Sequence, residues 1–160
     1  MPFSTLTKTQ RDCLSALRAE GFEFMIVGGY AVRFHGFMRP TEDLDLLISN
    51  EQQNVEVLKR FFLKAGAIKV PYMMMVAQEE WGMIDWNDVD FLTAIRGGNF
   101  RKLREQAVSE TIEGDPTLII SKADLIAERE MSLHDQSQKE RHECIAIELD
   151  YLKSVGRLES

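Results

Sequence analysis

Asp43 and Asp45 stand two residues apart in the run Asp43-Leu44-Asp45-Leu46-Leu47-Ile48. Residues i and i+2 of an extended strand share a face, so the alternation sets two carboxylates side by side with Leu44, Leu46 and Ile48 opposite. Like charges held that close repel unless a cation lies between them. Oxygen-only ligands on a rigid strand suit Mg²⁺, with Mn²⁺ as its substitute; Mg²⁺ takes one or two carboxylates and completes its shell with water and substrate phosphates. The plainer account of the same pattern is a strand with one solvated face. Asp90 adds a third acid, inside the otherwise apolar Val89-Asp90-Phe91-Leu92, where an unpaired buried charge is expensive and a metal would compensate it. Three such carboxylates on neighbouring strands suffice for two Mg²⁺ ions, with Asp90 as the general base. Asp85 and Asp88 are rivals in the same region, but Asn87-Asp88 has turn chemistry, and strand placement favours Asp90.

Gly28 and Gly29 follow an apolar run at 22–27 and leave backbone N–H groups uncovered at the start of a helix, a geometry that accepts phosphate oxygens. A Gly-Gly pair alone is also an ordinary tight turn. No GxxxxGK[ST] phosphate loop is present, and the stretch after Val27 does not fit GxGxxG. His35, His134 and His142 lack ligand spacing and are expected to be structural. Met73-Met74-Met75 is expected to be strand packing.

The elements that must hold these groups alternate irregularly. Thr7 with Gln10 gives a capping box for a helix over 7–20, ended by Gly21. A strand over 22–27, a short helix over 30–34 and the Asp strand over 43–48 follow. Ser49 or Asn50 caps a helix over 51–65 whose Val55, Leu58, Phe61 and Phe62 form an apolar stripe. Three strands are expected over 67–77, 82–86 and 88–95, then a helix over 99–107. A hairpin joins 108–113 to 117–120 through Gly114-Asp115-Pro116, and helices over 121–132 and 138–155 close the chain. The expectation is an α+β fold: a mixed sheet flanked by helices, in one domain over 1–160, with the core sheet in 22–95 and C-terminal helices in 121–155.

The charge balance narrows the partners. The chain of 160 residues has 19 Lys+Arg against 26 Asp+Glu, net −7, which opposes a long duplex gripped through many phosphate contacts. Cys13 and Cys144 are far apart and are read as buried free thiols of a reducing, cytoplasmic compartment. No leader pattern and no apolar run of membrane-spanning length is seen.

Taken together, Gly-Gly, thirteen residues, Asp-x-Asp and a later strand Asp resemble the nucleotidyltransferase superfamily that includes DNA polymerase beta. With His35-Gly36, Arg39 and Thr41 ahead of Asp43, the string is similar to its minimal bacterial branch, which also holds aminoglycoside nucleotidyltransferases and AbiEii-type toxins of toxin–antitoxin systems. The likeness extends through Val89–Thr93, Ile120-Ser121 and Ala123–Ala127, over roughly residues 22–150. It implies that Gly28 and Gly29 hold the triphosphate of an NTP such as ATP, that Asp43, Asp45 and Asp90 hold the metals, and that Asp90 is the base. Arg39, Arg129 and Lys139 are the expected phosphate cations, and Thr41 supports the Asp43 loop or the substrate. Three positions depart from the pattern: Gly29 replaces the usual Ser, Arg129 a Lys, and Glu140, after Lys139, an Asp. The expected activity is Mg²⁺-dependent transfer of an NMP from an NTP to a hydroxyl on a small molecule, an RNA end or a protein. The alternative is a non-catalytic nucleotide-binding or partner-binding module of a toxin–antitoxin type. With only two helices available as an acceptor wall, a homodimer or an antitoxin partner is expected to complete the cleft.

Overall fold

Thr7 Oγ1 accepts the Gln10 backbone N–H at 3.1 Å and Gln10 Oε1 accepts the Thr7 N–H at 2.9 Å, so the capping box expected from sequence starts helix α1 (Lys8–Ala19). The computed structural model describes residues 1–159. After α1 come β1 (Phe24–Val27), α2 (Gly28–Phe34), β2 (Leu44–Ile48), α3 (Gln52–Lys64), α4 (Val70–Ala77), β3 (Met83–Trp86) and β4 (Val89–Leu92). A two-stranded ribbon of β5 (Ala94–Ile95) and β6 (Gly98–Asn99) leads to α5 (Phe100–Leu103), then β7 (Val108–Ile112), β8 (Asp115–Ile119), α6 (Lys122–Leu133) and α7 (His142–Glu159).

The main sheet has the order β3-β4-β2-β1-β8-β7. It is mixed, because β2 runs antiparallel to β1 but parallel to β4, and β1 runs parallel to β8. The carboxyl ends of β1 and β8 and the amino ends of β2 and β4 therefore lie at one end of the sheet. The α+β architecture expected from sequence, with helices around a mixed sheet and two at the C-terminus, is the one observed.

The core forms because the strands present apolar rows to the helices. Leu44, Leu46, Leu47, Phe91 and Phe62 are all fully buried, each side chain contributing about 1.5–3 kcal/mol relative to exposure. Phe62 of α3 meets Phe91 of β4 edge to face at 5.3 Å. Hairpin β3–β4 turns at Asn87 (φ 47°) and Asp88 (φ 63°), two successive left-handed residues as a two-residue hairpin requires.

Several local expectations are corrected. Residues 67–77 do not make a strand: Pro71 sits in the first turn of α4, where its missing N–H costs nothing, and unbranched methionines suit a helix. The strand expected over 88–95 stops at Leu92. The helix expected over 99–107 is one α turn followed by a 3-10 turn, Arg104–Gln106. The final helix does not start at 138; residues Gln136–Arg141 wind as a 3-10 segment, and α7 begins at His142. Helix α3 is capped by Glu51 rather than Ser49 or Asn50, without a side-chain cap bond. Cys13 is buried as expected, but Cys144 is exposed, because the buried stripe of α7 runs through Ile145, Leu149 and Leu152. Among the described residues, no helix is long and apolar enough to cross a membrane.

Candidate active site

Strand register brings the acids together. Asp45 of β2 lies beside Asp90 of β4, which on its other side lies beside Asp85 of β3, and Val27 at the end of β1 flanks Asp45. Asp45 and Asp90 share a side-chain hydrogen bond. Burial, followed by the charge of Asp90, pushes Asp45 up to about 7. Burial and then the charge of Asp85 push Asp90 up to about 6. Both carboxyls are thus held above the usual carboxylate range by burial and by neighbouring carboxylates. Two carboxylates forced together without a countercharge take up a proton instead.

Gly28 explains how Asp45 fits. Its φ is 65°, and a Cβ built there would lie 2.1 Å from Asp45 Oδ2. Any side chain at 28 would both strain the backbone and displace the carboxylate. Gly29 has a different reason: a Cβ there would lie 2.3 Å from Thr41 Oγ1. The space a Ser at 29 would need is thus filled by the Thr41 hydroxyl, which gives a steric account of one departure from the family pattern. Helix α2 starts at this pair without a side-chain cap bond.

The surrounding cleft has a volume of about 560 Å³ and is lined by Gly28, Gly29, Arg39, Pro40, Thr41, Glu42, Asp43, Asp45, Asp90, Arg129 and Arg141. A second cavity of about 540 Å³, lined by Met1–Ser4, Phe34 and residues 110–113, has no basic side chain on its wall and no comparable convergence. Of the residues expected from sequence, only Lys139 is missing from the lining: it is exposed on the 3-10 segment, and Arg141 two residues on takes a place in the wall.

The cations differ in their freedom. Arg129 is buried between Glu128, bonded from Nη2 at 2.6 Å and also from Nε, and Glu148, 3.3 Å from Nη1. Burial alone would lower the guanidinium, but Glu128 and then Glu148 more than reverse it and raise it. Arg39 pairs with the same Glu148, a fully buried acid on α7. Arg141 is exposed and makes no ion pair with the described residues. Behind the wall, buried Arg33 donates to the carbonyls of Pro2 and Arg39, each at 2.8 Å, and fixes the loop ahead of Asp43. His35 donates to the Ile120 carbonyl at 2.8 Å, the structural use expected of it.

Sequence reasoning missed Arg33, Arg141 and the Glu128–Glu148 pair. Only Glu148 left a usable signal: it sits in the stripe Ile145-x-x-Glu148-Leu149-x-x-Leu152, an acid among buried aliphatics, as Asp90 is in its strand.

The donor set fits a hard divalent cation: oxygen donors only, held on a sheet, with Asp45 and Asp90 side by side in register and each raised by burial and neighbouring carboxylates. Asp43 lines the same cleft, but among the described residues no three His, Cys, Asp or Glu side chains converge as a ready-made metal site. A cation would therefore take the carboxylates it finds and complete its shell with water or ligand oxygens, as Mg²⁺ does.

Compared by sequence, the chain matches no protein-family model and no curated protein. Among solved structures it resembles the crystal structure of an antigenic nucleotidyltransferase-like protein from Paracoccidioides brasiliensis, with a TM-score of 0.50 and 14% identity over 92% of this chain and 77% of that one. At that identity the likeness establishes the fold, and the fold is nucleotidyltransferase-like.

Proposed function

We propose that the chain is a divalent-cation-dependent nucleotidyltransferase that moves an NMP unit from an NTP to an acceptor hydroxyl and releases pyrophosphate. The carrying observation is the Asp45–Asp90 pair, with Asp45 against Gly28, in a cleft also lined by Arg39, Arg129 and Arg141. Asp43, Asp45 and Asp90 would hold Mg²⁺, or Mn²⁺ in its place. Bound there, the ion would supply positive charge to the phosphate oxygens as negative charge shifts onto the leaving group.

The chain's own groups then have separate tasks. Asp90 accepts the proton of the acceptor hydroxyl as its oxygen bonds to the α-phosphorus; the bond from that phosphorus to the bridging oxygen breaks, and the electron pair leaves with pyrophosphate. Thr41 and the backbone at Gly28 and Gly29 face the triphosphate. Arg141, without an acidic partner among the described residues, takes its terminal oxygens, while Arg39 and Arg129, already paired, shape the wall by position. The net negative charge favours a small molecule, an RNA end or a protein over duplex DNA as the acceptor.

The test is transfer of labelled nucleotide from each of the four NTPs, with Mg²⁺, to acceptor pools of small hydroxyl compounds, RNA and protein. Label should transfer with wild type and not with Asp45→Ala; equal labelling by both would sink the proposal. Mg²⁺-dependent NTP binding with no transfer to any acceptor class would instead identify a nucleotide-binding module.

A further inference from the structure

The structure assigns a second task to Gln10: we infer that its side-chain amide is a positioning residue that sets the Asp43–Asp45 and Asp90 strands against each other for cation binding. This rests on the metal-binding function proposed above. Gln10 lies on α1, far from the carboxylates in sequence, and is fully buried. Its Oε1 serves the cap of its own helix by accepting the Thr7 N–H. Its Nε2 does something else: it donates to the Glu42 carbonyl at 2.7 Å and to the Asp88 carbonyl at 2.9 Å.

Those two carbonyls belong to the residue before Asp43 and the residue two before Asp90. Both are at the amino ends of the parallel strands β2 and β4, and the Asp88 carbonyl also accepts the Leu44 N–H at 2.9 Å. One amide thus joins the starting points of the two strands whose register puts Asp45 beside Asp90. The choice of residue carries the inference. A capping box accepts Glu as readily as Gln, since only the oxygen is used. Glu at this position would turn an acceptor oxygen toward two carbonyl oxygens, so the need for Gln comes from the strands and not from the helix.

Gln10→Glu therefore separates the two roles. It preserves the cap and the side-chain size, and it leaves one donor for two carbonyls where the buried acid takes up a proton and none where it is ionised. A charge on the introduced carboxyl would tighten cation binding; lost positioning, in either form, would loosen it. Mn²⁺ binding to the full chain, measured by electron paramagnetic resonance and calorimetry at pH 7.5, should weaken by about tenfold or more in Gln10→Glu and in Gln10→Ala, the usual scale for losing a group that orients metal ligands. Leu14→Ala, a core truncation on the same helix, should lower the thermal midpoint yet leave Mn²⁺ affinity within about twofold of wild type. If Asp45→Asn loses Mn²⁺ but both Gln10 variants bind like wild type, the role of Gln10 is overturned and the metal site stands. If Asp45→Asn itself binds Mn²⁺ like wild type, the metal site fails and the role of Gln10 fails with it.

Discussion

The two walls of the cleft are built on different principles. On the carboxylate wall, strand register places Asp45 and Asp90, and glycine at 28 makes room for them. Backbone hydrogen bonds repeated along β1, β2 and β4 hold that register, with the Gln10 amide joining the starting ends of β2 and β4. On the cation wall, Arg39 comes from a loop, Arg129 from α6 and Arg141 from a 3-10 segment, and no ladder joins them. A single buried acid, Glu148, ties the first two together. One wall is rigid by secondary structure, the other by a buried ion-pair network, and they should fail differently.

The largest effect is expected from Asp45→Asn. Exchanging one oxygen ligand for a neutral amide removes several kcal/mol of charge stabilisation, so transfer should fall by about 10³-fold while the fold persists, as circular dichroism and a labelled-nucleotide assay would show. Gly28→Ala attacks the same wall through the backbone. It forces an L side chain into φ 65° and a methyl onto Asp45 Oδ2, and should cost about 1–3 kcal/mol of stability in urea and about 10²-fold in transfer.

The opposite wall should behave in reverse, with stability suffering first. Glu148→Ala removes one of the two carboxylates that bond the buried Arg129 guanidinium. Unfolding in urea should show a loss of about 3 kcal/mol, with the rate reduced less than in Asp45→Asn. Arg141→Ala, at an exposed side chain with no ion pair among the described residues, should leave stability within about 0.5 kcal/mol and raise KM for the NTP about fivefold with kcat little changed. Equal effects of Arg141→Ala and Asp45→Asn on kcat would erase the distinction between the walls.

A separate effect, on stability rather than transfer, is the pH dependence without added cation. Asp45 and Asp90 bind a proton more tightly folded than unfolded, so their contribution to stability is present below about pH 4 and is lost as pH rises to about 7. Thermal midpoints should fall over that window, Asp45→Asn should flatten the trend, and Mg²⁺ should raise the midpoint more at pH 8 than at pH 5. A midpoint that rises steadily from pH 4 to 7 without Mg²⁺ would contradict a strained carboxylate pair.

The carboxylate wall was largely legible in the sequence because its signals are local. A period of two marked Asp43 and Asp45, although β2 begins at Leu44 and leaves Asp43 in the loop just ahead of it, still lining the cleft; an acid in an aliphatic strand marks Asp90. The failures were also local: the apolar run around Met73-Met74-Met75 has no period that separates helix from strand, and Pro71 within it fits the first turn of the observed helix. Lys139 and Arg141 exchanged places because a 3-10 segment turns its side chains through a different angle from the α-helix expected there.

By itself, then, the sequence determined which residues the proposed chemistry would use and the strand that carries Asp45, with Asp43 just ahead of it, since alternation and glycine turns act over a few residues. Only the tertiary structure decided what they meet: Asp90 beside Asp45, Thr41 in the space above Gly29, Glu148 between two arginines, and the Gln10 amide on two strand carbonyls. Those partners lie from 12 to 109 positions apart, brought together by the burial of apolar faces, a force that acts on area and leaves no mark in local spacing.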